Sequence, residues 1–342
     1  MRKEVVLITG ANGEIGHCLI KEIWFRHSAR IVAIDLKPLD ECLIDYCDRF
    51  ILGDILDKTL LGRLTAEYEI TTIYHLASIL STKAEYNPET AHQINVEGTI
   101  NLLQLGMELS QWQGKSVKFI YPSSIAVYGL PDLQTKESNP RLKEGDFCSP
   151  ITMYGINKLY CEQLGKYYAL YYRQLSKDRP KNTIDFRSIR FPGLISADTM
   201  PSGGTSDYGP EMLHSAAQGI PYVCFVRPDT TIPFMAMPDA VKALLFLENA
   251  ERSSLTQLVY NVTSFCPSAQ QILDIVVKAY PQSSVTFEIN STRQTIVDSW
   301  PTDIDDSPAR RDWGWIPDYD QQKAFMEYLL PSIKERYLGK KC

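Results

Sequence analysis

The stretch VVLITGANGEIGHCL, residues 5–19, decides the fold. Its apolar start, VVLIT, reads as a short strand buried on both faces. Gly10, Gly13 and Gly16 follow, and an apolar-periodic run begins directly behind them, so the glycines join a strand to a helix. In that setting the three glycines do different things. Gly10 permits the tight turn, Gly13 lets a pyrophosphate approach the backbone, and Gly16 allows close helix–sheet packing. The free N–H groups and dipole at the helix start then hold the phosphates. Asn12 and Ile15, within the same turn, are further candidate contacts to a dinucleotide. The bland alternative is a merely flexible loop.

Outward from that turn, the first half alternates strand and helix. RIVAID (30–35), RFILGD (49–54), TTIYHLA (71–77), VKFIYPSS (117–124) and IDFRSIRF (184–191) are further short apolar runs. Helical patterns lie near 14–27, 57–69, 88–112 and 152–176. The alternation predicts an α/β protein with a doubly wound parallel sheet, the Rossmann arrangement. Asp35 ends the second strand, about 20 residues past the glycines, where a carboxylate accepts bonds from the adenosine ribose and repels a 2′-phosphate. NAD rather than NADP is therefore the expected cofactor, with Lys37 nearby to soften the preference. Asp54 and Ile55, after the third strand, are positioned to meet the adenine.

Beyond Pro192 the texture changes to PGLISADTMPSGGTSDYGP, too rich in Gly, Pro and hydroxyls for regular structure. Short helices and strands then alternate to a closing helix near 319–337. The expected division is a dinucleotide-binding domain over 1–192 and a smaller C-terminal α/β substrate lobe over 193–342. Segments near 229–263, LVYNVT (258–263) among them, are candidates to rejoin the first domain.

Composition narrows the function classes. The 342 residues carry a net charge of −6, without the broad basic surface a nucleic-acid partner needs. Eight cysteines form no C-x-x-C pair, and five dispersed histidines suggest no zinc site. No apolar run approaches the ~18 residues of a membrane span, and the chain runs from Met1 into a strand without a targeting segment. Reduced thiols and a cytoplasmic location are the expectation.

The chemistry is carried by two later stretches. YPSSIAVYG (121–129) ends the fifth strand with Ser123 and Ser124, and SPITMYGINKLYCEQ (149–163) opens a helix with Tyr154 and, one turn on, Lys158. By itself a Tyr–Lys pair at i, i+4 is only one helix face. Beside a nicotinamide, a hydroxyl, a phenol and an ammonium are the parts hydride transfer needs. A lysine cation and the positive ring both favour phenolate, so Tyr154 can act as a base.

The glycine turn, HLAS (75–78), NVEGT (95–99), the serine strand and Y-x-x-x-K together resemble the extended short-chain dehydrogenase/reductase superfamily across nearly the whole chain. The resemblance implies that Tyr154 and Lys158 are catalytic, with Ser124 as hydroxyl partner and Ser123 as a possible substitute. It implies that Leu76, Ala77 and Ser78 line the cofactor, and that Asn95 supports a proton-relay water. Pro192 and Ile195 are then the nicotinamide contacts.

The second lobe bears on the substrate. Members acting on sugar nucleotides usually carry an arginine for the diphosphate in an R-D-[FY]-[IV]-H-V segment. The corresponding stretch here, PDTTIPFMAMPDA (228–240), lacks it. With GGTSDYGPEM (203–212) and DSWPTDIDDSPARRDWGW (298–315), it resembles the threonine-oxidising members of the superfamily. This implies L-threonine as substrate, with Ser81, Thr205 and Ser206 placed to hold its carboxylate and Trp300 either capping the pocket or packing beneath it. A sugar-nucleotide epimerase or dehydratase is the nearer alternative, and an inactive NAD-sensing scaffold the farther. The superfamily's four-helix interface, and the largely aromatic surface of Tyr160, Leu164, Tyr167, Tyr168, Tyr171 and Tyr172, imply a homodimer.

Overall fold

The computed structural model describes residues 3–26, 29–201 and 203–339; Met1, His27 and Cys342 lie outside the described residues. Strand β1 (Lys3–Thr9) runs through the interior of the main sheet. Around it lie β2 (Ile31–Asp35), β3 (Arg49–Leu52), β4 (Tyr68–His75), β5 (Lys118–Ser124) and β6 (Asp185–Phe191). After two short strands, β7 (Gly193–Ile195) and β8 (Phe234–Ala236), which pair with each other, β9 (Val259–Asn261) returns to the main sheet. The order is β9-β6-β5-β4-β1-β2-β3, and every pairing is parallel. The switch point between β1 and β4 puts a crevice at the carboxyl ends of the strands, where doubly wound sheets bind ligands. The sequence predicts six strands; the seventh is the LVYNVT segment.

Helices α1 (Glu14–Phe25), α2 (Lys58–Glu67), α3 (Gly98–Gln113), α4 (Met153–Lys166), α5 (Tyr208–Gln218), α6 (Met237–Asn249) and α7 (Ala269–Ala279) complete the frame. Leu19, Ile20 and Ile23 of α1 share one apolar cluster with Val241, Leu244 and Leu247 of α6 and with Ile8 and Ile31 of the sheet. Leu61 and Leu64 of α2, Leu102 and Leu105 of α3, and Cys161 of α4 fill the opposite face. A third cluster, holding Met212, Leu213, Ile272 and Val276 of α5 and α7, sits beside Ile125–Tyr128 and Trp300.

One helix departs from its expected bounds. The helix predicted over 152–176 is regular only to Lys166, widens into a π turn over Tyr167–Tyr171, and is broken beyond it by Arg173 at φ +48°. The span near 229–263, a candidate to rejoin the first domain, packs on the main sheet. Helix α6 covers the same sheet face as α1, and Arg187 of β6 donates to the terminal carbonyls of α6 at Leu247 (2.5 Å), Glu248 (3.0 Å) and Ala250 (2.7 Å). That guanidinium satisfies acceptors the helix end leaves open.

The buried histidine of the sheet is bonded on both ring nitrogens. His75 Nδ1 and Nε2 lie 2.9 Å from the hydroxyls of Thr9 and Thr99, joining β1, β4 and α3. Burial, reinforced by the Lys158 charge, lowers the imidazole to about 3, so the ring is neutral at physiological pH. Among the described residues no group of His, Cys, Asp and Glu has the makings of a metal site, and no helix is long and apolar enough to cross a membrane.

Candidate active site

A cavity of about 460 Å³ opens at the carboxyl ends of β1, β4, β5 and β6. Its floor is the glycine turn. Gly10 has φ +71°, a conformation L side chains rarely adopt, and a Cβ there would stand 2.6 Å from the Ala77 nitrogen. A Cβ on Gly16 would fall against the Ala11 carbonyl oxygen. Gly13 is the N-cap of α1 and has no side chain to fill the helix start, so the phosphate seat stays open.

Asp35 lies at the far end of the cavity. Its carboxylate accepts from the Asn12 amide (2.9 Å) and the Lys37 amide (3.1 Å), while the Asn12 side chain donates to the carbonyls of Lys37 (3.2 Å) and Pro38 (2.7 Å). The glycine turn and the end of β2 are thus one hydrogen-bonded unit, and Lys37 lines the cavity beside Asp35. Asp35→Ala should narrow NAD-over-NADP discrimination, mainly by weakening use of NAD. Because the carboxylate also anchors Asn12, the NAD loss should exceed the 1.5–3 kcal/mol or so of one charged hydrogen bond. Paired kcat/KM values for NAD and NADP measure it, and a wild type using both equally would overturn the placement.

At the other end, the Thr152 side chain caps α4 by accepting from the Gly155 amide (3.1 Å), which puts Tyr154 in the first turn. Tyr154 is hydrogen-bonded to Ser124. The Lys158 Nζ donates to the Pro122 carbonyl (2.7 Å) and lies 4.7 Å from the Tyr121 ring centroid and 5.5 Å from that of Tyr154. Burial lowers Lys158 to about 8. Burial also pushes the Tyr154 phenol above its ordinary value, opposed by the bond to Ser124. The sequence reading has Lys158 favouring phenolate; at Tyr154 burial is the dominant influence.

Ser123 and Ser124 both line the cavity, and their hydroxyls differ in commitment. Ser123 is buried with its Oγ donating to Glu162 Oε1 (2.6 Å), whereas Ser124 stands beside Tyr154. Of the other candidates, Asn12, Ile15, Leu76, Ser78, Ser81, Pro192, Ser206 and Trp300 line the cavity too.

Asp54, Ile55, Ala77, Asn95, Ile195 and Thr205 do not line it. Ile55 is buried against Gly98, and Asp54 Oδ1 accepts from the Leu56 amide (2.9 Å). Ala77 backs Gly10 with its backbone. Asn95 is a brace, its Oδ1 accepting from Ser78 Oγ (3.1 Å) and the Ile79 amide (2.7 Å). Ile195 points into the third core cluster, and its neighbour Leu194 takes the cavity face. Thr205 is buried, bonded through its amide and hydroxyl to Ser81 Oγ at 3.0 Å each.

Sequence reasoning passes over Leu194, Met237 and Lys83 on the cavity wall, and the pair Glu162–Arg190 beneath it. Only the spacing of Glu162, one turn beyond Lys158 on the same face, hinted at that pair.

Residues 6–263 match the family model described as the NAD dependent epimerase/dehydratase family. The chain belongs to that family. It is 34% identical to the mitochondrial L-threonine 3-dehydrogenase of Bos taurus over 319 residues, 92% of this chain and 79% of that one. It is 32% identical over 341 residues to an uncharacterized epimerase/dehydratase of Staphylococcus haemolyticus, covering 98% of this chain and all of the other. Among solved structures, a monomeric L-threonine 3-dehydrogenase from a metagenome superposes with TM-score 0.83 at 33% identity, over 97% of this chain and 99% of that one. Kinship within the family supports an NAD-dependent dehydrogenase, as the sequence predicts.

Proposed function

We propose that the protein oxidises the β-hydroxyl of L-threonine to 2-amino-3-oxobutanoate, with NAD as acceptor. The observation that carries this reading is the Ser124–Tyr154–Lys158 set at one end of a glycine-floored cavity whose lining, among the described residues, contains no arginine. A nucleoside diphosphate calls for bidentate guanidinium partners; a small amino acid does not. The sequence relatives named as threonine dehydrogenases support the same substrate.

NAD fits the residues present: an open helix start at Gly13, a turn no Cβ can enter at Gly10, and a carboxylate at Asp35 for the ribose. When bound, NAD supplies the hydride acceptor. Ser124 orients the substrate hydroxyl, Tyr154 takes its proton as the C3 hydride leaves, and Lys158 holds positive charge behind the phenol. Pro192 and Leu194 line the same cavity and would flank the nicotinamide. The decisive assay is NADH absorbance with L-threonine and NAD; no signal with threonine, together with tight binding of a UDP-hexose, would favour the epimerase reading.

The hydroxyl arrangement alters what the loop contributes. Ser81 faces the cavity and Thr205 stands behind it. Ser81→Ala should weaken threonine affinity by roughly 10- to 150-fold and spare NAD. Thr205→Ala should do the same more weakly, through Ser81. Side-by-side affinities decide: parallel losses for both ligands would assign the pair to stability alone.

A homodimer is part of the proposal. Tyr160, Tyr167 and Tyr171 are 48%, 40% and 52% exposed on one side of α4 and its π turn. Tyr168 is buried and stacks on Tyr172 at 4.8 Å between centroids, so those two rings serve the core. Exposed aromatic patches mark interfaces, although one solved relative is described as monomeric. Light scattering at micromolar concentration should give twice the chain mass; the chain mass itself would overturn this assignment. A cytoplasmic location is proposed on the seven described cysteines, all free thiols, the state a reducing compartment maintains.

A further inference from the structure

Beneath the cavity lies a charged pair that no step of the chemistry uses. Glu162 is fully buried on α4, and Arg190, on β6, is nearly so. Arg190 Nε and Nη2 donate to the two oxygens of Glu162 at 2.9 and 2.7 Å, and Nη1 donates to the Glu144 carbonyl at 2.7 Å. The guanidinium lies 5.0 Å from the Tyr128 ring centroid. Ser123 Oγ adds a third bond to the same carboxylate. A buried ion pair gives little net stability over apolar residues of the same shape, so its contribution is sought in geometry.

The network touches each element that carries the reacting groups. Glu162 lies one turn beyond Lys158 and two beyond Tyr154 on α4. Ser123 stands on β5 between Pro122, whose carbonyl accepts from Lys158, and Ser124, which is bonded to Tyr154. Arg190 precedes Pro192 of the cavity wall by one strand repeat. One carboxylate therefore fixes the axial position of α4 against both strands.

We propose that Glu162, held by Arg190 and bonded to Ser123, is a positioning residue that sets Tyr154, Lys158 and Ser124 in register for proton and hydride transfer; this rests on the dehydrogenase reading above. A sub-ångström slide of α4 separates the phenol from Ser124, and displacements near 1 Å cost on the order of 10²-fold in rate. Glu162 also bears on the charge of Lys158. That ammonium is faced by Tyr154, Cys161 and Glu162 from its own helix, by Tyr121 from β5 and by His75 from β4, with Arg190 of β6 behind Glu162. Burial lowers the ammonium, and the Cys161 and Glu162 charges oppose that shift.

The test compares Ser123→Ala, Ser123→Thr and Glu162→Gln in the full-length protein, with L-threonine and NAD. Ser123→Ala, which leaves the ion pair intact, should lower kcat about tenfold with the NAD Kd unchanged within about twofold; Ser123→Thr, keeping the hydroxyl, should recover most of the rate. Glu162→Gln should lower kcat about 100-fold and move the alkaline limb of its pH profile to lower pH. NMR of lysine-labelled, ligand-free protein should show the Lys158 titration moving the same way. Variants that melt earlier but keep wild-type kcat and pH profile would overturn the proposal and leave the pair a structural tie. If Glu162→Gln does not fold, the Ala and Thr variants at Ser123 decide alone. A wild type making no NADH from L-threonine would sink the substrate reading, while the lysine titration would still test the network.

Discussion

Tyr154→Phe should reduce turnover of L-threonine about 10³-fold, within the range a single positioned acid–base group contributes, with NAD affinity unchanged within about twofold. The substitution removes one oxygen. The ring keeps its packing against the third core cluster and its place 5.5 Å from the Lys158 ammonium, and Thr152 still caps the helix. What disappears is the phenol that pairs with Ser124 and accepts the substrate proton. Initial rates, with NADH fluorescence titration for binding, measure both effects. A Phe enzyme at near-normal rate would remove Tyr154 from the chemistry.

Lys158→Ala should damage more than turnover. The side chain is 4% exposed and its ammonium is bonded to the Pro122 carbonyl, so truncation leaves that acceptor unpaired and a void behind the phenol. Both the rate and NAD affinity should fall, kcat by roughly 10²- to 10⁴-fold and affinity by about tenfold or more, the scale of one lost charged hydrogen bond. Lys158→Met separates the causes. It refills the stem and should recover melting temperature but not turnover. Recovery of turnover by Met would show that the lysine acts by packing alone.

The main elements were legible because they rest on short-range rules. Apolar runs spaced by helical patterns gave the parallel sheet, and the glycines marked the one turn where a Cβ cannot sit. Strand β9 has only three residues, so no periodicity announces it. The aromatic periodicity of α4 continues past Lys166 although the backbone widens there, which is why its end was overestimated.

The lining of the cavity differs from the sequence reading by single steps. Adjacent strand residues face opposite ways, so the choice between Leu194 and Ile195 depends on which face meets the cavity. A buried carboxylate such as Glu162 looks in sequence like any solvated charge, since its partner Arg190 lies 28 positions away.

The return of β9 and α6 to the main sheet has a consequence for synthesis on the ribosome. When residue 192 has emerged, β6 lacks its outer neighbour and the apolar side of α1 still lacks its α6 cover. The cover arrives only with α6, and the last strand only at Asn261, some 70 residues later. At 5–20 residues per second that is about 4–14 s of elongation. Throughout it, the nascent chain exposes a half-built sheet with an open edge, an aggregation-prone state. Truncation after β6 should therefore yield an aggregating fragment rather than a free-standing nucleotide-binding module.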